Sequence, residues 1–523
     1  MDLMRQCQKW HEENRHQKIV DAIEAVPEEE RTPDMNMELA RALNNLAVPE
    51  LPEGRAMLKR SIRLLEAYEE EMGDDFSWNF RLGYAYYYLD MEGPAMRYLE
   101  RSLELHPGDS PLVNSREETK ELIDDCLDRL KLPRFRENFR KRTAKAWKEF
   151  AAREEELRNL VDSGPEKGGG EPAEYPNGQE LVDRLNVILG LAFDEPTFEV
   201  CAARGTYQVV FTGFGGTEEL LQLDYFLRQA PAEVTEKWCF QLGREAMDEI
   251  AFVFDGGRLE AEDIQVRVEK LENGQVGLTL YCGKLASMMV EDENRCYWAL
   301  SSMLDLVLGQ MPAQRLVGYL DVEKEPLADT ALLMSDLRDT LVSLGYSLDA
   351  DPDLLLESYS GYSQQPAETP GEEWRDDVVA GTTRGDRLLR EYWNGREELM
   401  DRFHADGVAA GFFVYPLDGF EEPDRTQKIF DFRDALEEAI EEKAGADAWT
   451  TLGGATGTAC GYLDFMAWDL HAVLRAAQEF FRNSHLKWAV FQTFRRNIPS
   501  VTLMYRDDDE VESEESGSGR MLH

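Results

Sequence analysis

Along its first 132 residues the chain places apolar residues three and four apart in one short segment after another. The segments are "HQKIVDAIEAV", "MELARALNNLA", "GRAMLKRSIRLLEAYEEEM", "FSWNFRLGYAYYYLDM", "GPAMRYLERSLEL" and "REETKELIDDCLDRL". That spacing is the period of an amphipathic helix, and the Pro, Gly and Asp residues between segments mark turns. Residues 1–132 are predicted to be all helical. A longer helical pattern over 133–163 packs through Phe135, Phe139, Trp147 and Phe150. It also carries Arg134, Arg136, Arg140, Lys141, Arg142, Lys145 and Lys148, a basic island expected to pair with the protein's own carboxylates or to dock a partner. Residues 164–178, "GPEKGGGEPAEYPNG", lose all periodicity, as a flexible linker does.

Within residues 76–109, Leu82, Gly83, Tyr86, Ala95, Leu99 and Pro107 fall in the order of small and large packing positions that resembles a tetratricopeptide repeat. Leu39, Ala40, Leu43 and Ala56 follow the same order more loosely, across a longer loop, "VPELPEG". About two repeats are expected, flanked by capping helices around Trp10–Val26 and Glu117–Leu132. The resemblance implies a short solenoid in which the first helix of each unit lines a concave groove. The non-packing face of that helix carries Phe80, Arg81, Tyr84, Tyr87 and Tyr88, polar-tipped aromatics with an arginine, which is the composition protein interfaces enrich. As a whole the chain resembles bacterial tetratricopeptide-repeat proteins with uncharacterised C-terminal α+β regions.

Past residue 178 the pattern changes to alternation. Strands are predicted at "TFEVCAA", "TYQVVFT", "KWCFQLG", "DIQVRVEKL", "QVGLTLYCG" and "RLVGYLDVE", with helices at "TEELLQLDYFLRQA" and "DENRCYWALSSMLDLVLGQM", making an α+β domain over 179–324. The "ENG" between the fourth and fifth strands signals a hairpin. Residues 325–380 read as connecting material. A second α+β domain over 381–506 repeats a similar order of strands and helices, and an acidic tail at 507–523 has too little apolar character to fold. The predicted architecture is multidomain, an all-α helical-repeat solenoid followed by two α+β, loosely ferredoxin-like, sandwiches.

The glycine cluster at 453–457 invites comparison with a phosphate loop, but no Lys-Ser or Lys-Thr follows it. From Gly461 the chain alternates like a strand, with Leu463, Phe465 and Ala467 on one face and Tyr462, Asp464, Met466 and Trp468 on the other. The glycines are expected to shape a strand turn or bulge, and Asp469 to cap the helix that follows. With helices over one face of this sheet, Tyr462, Met466 and Trp468 become a candidate interface on the other. "GFGG" at 213–216 opens a helix, but Glu218 and Glu219 follow it and no basic residue adjoins it, which disfavours an anion site.

Composition narrows the partners. At 523 residues the chain exceeds one core, and its net charge of -46 repels nucleic acid and anionic membranes. No window approaches the roughly 18 apolar residues of a membrane span. Seven scattered cysteines without Cys-x-x-Cys spacing point to reduced thiols in a cytoplasm, and seven histidines include no His-x-x-x-His pair. No metal site, cofactor or catalytic residue is expected. The function expected is a non-catalytic intracellular scaffold whose repeat groove recognises a protein or peptide partner. Two alternatives are an acidic immunity or antitoxin-like inhibitor of a basic partner, and an enzyme with its site between the α+β domains.

Overall fold

The structure, a computed structural model, describes residues 3–108, 115–163, 177–200, 207–247, 251–254, 257–327, 331–367 and 373–506. Residues 164–176 of the expected linker and the expected tail at 507–523 lie outside the described residues. An N-terminal helical region is followed by mixed α and β sheet regions. The chain divides into two compact units. One joins residues 1–140, 362–381 and 388–523, and the other comprises 141–361 with 382–387.

In the first unit the helices Pro33–Leu46, Pro52–Glu66, Phe76–Tyr88, Glu92–Glu104 and Arg116–Lys131 pack each against the next. Their ends carry local signals. Thr32, Asp75 and Ser115 each accept a hydrogen bond from the backbone N–H three residues on, at 3.3, 2.8 and 3.0 Å, which satisfies donors the first helical turn leaves open. Leu58, Leu65, Trp78, Leu82 and Ala85 form a shared buried cluster, and Trp78 Nε1 donates to the Leu65 carbonyl at 3.0 Å.

The same unit contains a seven-stranded sheet. Its spatial order is Ser360–Ser363, Val378–Thr383, Trp449–Gly457, Cys460–Ala467, Ala409–Pro416, Trp488–Thr493, Val501–Tyr505. Ala409–Pro416 lies between Cys460–Ala467 and Trp488–Thr493 and is antiparallel to both. The glycine cluster runs within a strand, with a bulge between Thr451 and Gly453, rather than forming a phosphate loop. Asp469 caps helix Leu470–Asn483 through Ala472 N at 3.3 Å. That helix and Arg425–Ala444 cover one face, burying Phe413, Tyr415, Leu463 and Phe465 with Ile429, Leu436, Val473 and Phe481. Residues 362–367 and 373–380, expected as connecting material, contribute to the edge strands and to the cover of the other face.

Polar contacts join the helical region to helix Glu398–Asp406. Glu92, which also meets Arg129 at 3.2 Å, meets His404 at 2.6 Å, and Arg97 pairs with Asp401 at 2.5 Å. Arg495 pairs with the same Asp401 at 2.8 Å and with Glu397. The approach is close enough that a Cβ on Gly93 would lie 2.0 Å from Asp401 Oδ1, so a larger residue there would displace the Asp401–Arg495 pair.

The second unit is built on helix Phe139–Asp162 from Lys141 onward, where Trp147 and Phe150 pack with Phe226, Trp238 and Phe240. In place of one sheet it holds separate small sheets. Phe198–Val200, Gln208–Phe211 and Cys239–Leu242 form one, its last two strands parallel across the crossover helix Thr217–Arg228. The other orders Val317–Val322, Val276–Cys282, Ile264–Lys270 and Leu332–Leu333, with the expected hairpin at 271–275. A two-stranded hairpin, Ala251–Phe254 with Gly257–Glu260, completes the described strands of this unit. The helix expected over 292–311 breaks at Gly309, whose φ of 86° is one an L side chain rarely adopts, giving Glu293–Leu308 and Gln310–Leu316.

Candidate partner-binding face of the helical region

Helix Phe76–Tyr88 sits between two buried clusters, so most of its surface is spent on packing. Phe80 is buried with Ala95, Leu99 and Cys126. Arg81 lies across the neighbouring helix Pro33–Leu46, donating to the Met37 carbonyl at 3.0 Å and to Glu38 at 3.2 Å. Glu38 also meets His11 Nε2 at 2.8 Å. Burial works to raise the Glu38 carboxyl, but His11, Arg81 and Arg41 together hold it below the ordinary carboxylate range. Tyr87 turns the other way, donating from its hydroxyl to Asp125 Oδ2 at 2.7 Å on helix Arg116–Lys131, with the Arg129 guanidinium 5.0 Å over its ring.

Of the five residues expected to line a groove, Phe80, Arg81 and Tyr87 are thus engaged by the same chain. Tyr84 and Tyr88 remain half-buried, one turn apart with ring centroids at 4.6 Å. Burial raises the Tyr84 phenol, and Tyr88 and Glu118 push it further in the same direction, so the Tyr84 ring stays a neutral hydrogen-bonding group at ordinary pH.

The second candidate surface is not a surface. Tyr462, Met466 and Trp468 are 1%, 0% and 2% exposed, so the expected open sheet face is closed from within the chain. Phe412 and Val414 share the face with Tyr462 and are equally buried. Arg375 fills the middle of the cover. It forms a two-pronged ion pair with Asp464 at 2.6 and 3.1 Å, donates to the Tyr362 hydroxyl at 2.7 Å, and stands 4.9 Å over the Phe412 ring. Asp377 takes the Tyr462 hydroxyl and the backbone N–H groups of Ala459 and Cys460 at 3.0 and 2.8 Å. Trp468 packs on Phe139 at 5.6 Å between centroids. A sheet face with this much polar anchoring is a structural core, because each buried charge and hydroxyl has its partner.

The remaining candidates resolve simply. Asp464 belongs to Arg375 and Asp469 to its helix cap. His11 and His16 have ring centroids 5.2 Å apart, yet among the described residues no group of three or more His, Cys, Asp or Glu is arranged to hold a metal ion. On the basic helix, Arg140 pairs with Asp447 at 2.8 Å, and Arg136 just before it pairs with Asp90 at 3.0 Å. At the "GFGG" turn the carboxylates of Glu218 and Glu219 lie 2.9 and 3.4 Å from where a Cβ on Gly216 would stand, so the helix start is faced by acids of its own.

Sequence reasoning missed Glu38, Asp125 and Arg375, the partners that decide which candidates are free. They stand 43, 38 and 89 residues from the groups they bind, and nothing local marks them. Among the described residues no helix is long and apolar enough to cross a membrane. No protein-family model matches the chain, and neither a curated protein nor a solved structure matches it.

Proposed function

We propose that this protein is a non-catalytic, cytoplasmic protein-interaction scaffold of bacterial tetratricopeptide-repeat type, its helical region recognising a peptide or protein partner. The observation that carries the reading is the Tyr84–Tyr88 pair, two half-exposed aromatic rings on an inner helix whose Phe80, Arg81 and Tyr87 are engaged within the chain. Support for the repeat comes from the burial of Leu82, Ala95 and Leu99 between helices Phe76–Tyr88 and Glu92–Glu104, where Gly83 abuts Leu99. The ferredoxin-like part of the reading is supported by the succession Ala409–Pro416, helix, Trp449–Gly457, Cys460–Ala467, helix, Trp488–Thr493, laid side by side in the order second, third, first, fourth strand. The free thiols of Cys7, Cys126, Cys239, Cys282, Cys296 and Cys460 support the cytoplasmic location.

The charge of Glu118 beside Tyr84 favours a partner segment that brings basic and aromatic or aliphatic side chains together. The test is capture of partners by the full chain and by its Tyr84→Ala/Tyr88→Ala variant, with circular dichroism on both. A partner held by the wild type and lost by a normally folded variant is the expected result. Identical partner sets from two folded proteins would remove the tyrosine pair from the binding face and the scaffold reading with it.

A further inference from the structure

In the second unit a pocket of about 260 Å³ opens where the Phe214–Gly215 turn faces helices Glu293–Leu308 and Gln310–Leu316. Leu304, Val317 and Leu320 give it apolar walls. Its polar lining comprises Ser301 and Asp305, a single turn apart on one helix face, with Gln310 and Gln314 from the next helix. The wall is held by Gln310, which donates from Nε2 to the Thr212 carbonyl at 3.1 Å and accepts Arg244 N at 3.4 Å.

Asp305 is the unusual member. Among the described residues no hydrogen bond or ion pair reaches its carboxylate. Arg244, the cation whose field bears on it, spends its guanidinium on Glu199 at 2.8 Å. Burial accordingly pushes the Asp305 carboxyl up to about 6, with Arg244 opposing the shift. The buried Glu92, Arg375 and Arg495 each have a counter-charge within hydrogen-bonding reach, whereas half-buried Asp305 has none that close and faces a cavity.

We propose that this pocket binds a small primary alkylammonium compound, its ammonium group meeting the Asp305 carboxylate and the Ser301 hydroxyl oxygen, and its alkyl stem lying against Leu304, Val317 and Leu320. Ser301 suits the role because its hydroxyl donates to the Tyr297 carbonyl, which turns the oxygen lone pairs to other donors. An ammonium carries three donors and no acceptor, which matches two acceptors on one helix face, and the pocket lies just below the roughly 300 Å³ at which pockets for drug-sized ligands begin. An anion is excluded by the carboxylate, and a neutral alcohol would leave the carboxylate without its charge partner.

The test is isothermal titration calorimetry of the full chain with n-butylammonium chloride and, separately, n-butanol, at a pH above neutrality. Saturable binding of n-butylammonium in the millimolar range or tighter is expected, with n-butanol weaker by roughly tenfold or more. The Asp305→Asn variant, which keeps the side chain's shape, should lose roughly the same factor for the ammonium compound and change little for the alcohol. Equal affinity for the two compounds, equal affinity in the variant, or no saturable heat from n-butylammonium would each overturn the proposal. The comparison of ammonium with alcohol is made on the wild-type protein alone, so it stands whether or not the variant folds.

Discussion

The two compact units treat buried charge in opposite ways. In the unit that joins the helical region to the seven-stranded sheet, Glu92 is 2% exposed and is met by His404 and Arg129, so that despite the cost of burial its carboxyl is held down at about 2. In the other unit Asp305, half-buried, has no hydrogen-bonded counter-charge and is pushed up to about 6 by desolvation, with Arg244 opposing. Desolvation raises both carboxyls, and the outcomes are opposite because only Glu92 has partners within hydrogen-bonding reach. A paired buried charge reads as structure, because removing either half leaves the other stranded. An unpaired one beside a cavity reads as a site, because the stabilising partner has to come from outside.

The largest effect should follow from breaking the best-paired charge. Arg375→Met leaves Asp464, 0% exposed, without its guanidinium, and should cost about 3–5 kcal/mol in urea unfolding of the unit that contains the sheet. A loss below about 1 kcal/mol would show that Asp464 finds relief elsewhere, and the contrast between paired and unpaired carboxylates would fail on its stronger side.

Next comes the pH response of Glu92. Its folded value of about 2 lies below the ordinary 4.5, so its contribution is complete above pH 4.5 and disappears as the pH falls through about 2. The loss should amount to about 3 kcal/mol over that window, and Glu92→Gln should flatten it. Thermal melts of the two proteins across the window decide the point, since parallel curves would mean that Glu92 is not the titrating group.

Asp305 should respond with the opposite sign and a smaller amplitude. Its folded value of about 6 lies above the ordinary 3.8, so its ionised form opposes folding, and stability rises as the pH falls through 6 towards 3.8. Above neutrality Asp305→Asn should therefore stabilise the second unit by about 1–3 kcal/mol, an advantage that vanishes near pH 4. A variant less stable than wild type above neutrality would reveal a counter-charge on Asp305 and erase the difference between the units.

Much of this was legible in the chain before any contact was known. Asp75, Ser115 and Asp469 stand where caps should stand and make the cap hydrogen bonds. Leu463, Phe465 and Ala467 alternate with Tyr462, Asp464 and Met466, and the sheet separates them onto its two faces as the alternation requires. Legibility ended where a short aperiodic stretch became structural. Residues 360–380 show neither helical nor strand period over any useful length, yet they supply Arg375, Asp377 and Tyr362, which close the face that alternation alone left open. The tyrosine helix shows the same limit. Its composition marked five residues as surface, and only Tyr84 and Tyr88 kept that standing once Glu38 and Asp125 had claimed Arg81 and Tyr87.

What the sequence determined by itself is therefore local: where helices and strands begin, turn and end, which face of each is apolar, and that the surface is strongly acidic. Those properties depend on residues within a turn or two of one another, so adjacent positions suffice to specify them. The tertiary structure alone decided which charges are partnered, that the helical region and the C-terminal sheet share one unit, and that Asp305 faces a cavity without a hydrogen-bonded counter-charge. Coulomb and hydrogen-bond energies depend on distances of a few ångströms between residues tens or hundreds of positions apart, and no periodicity along the chain encodes such a distance.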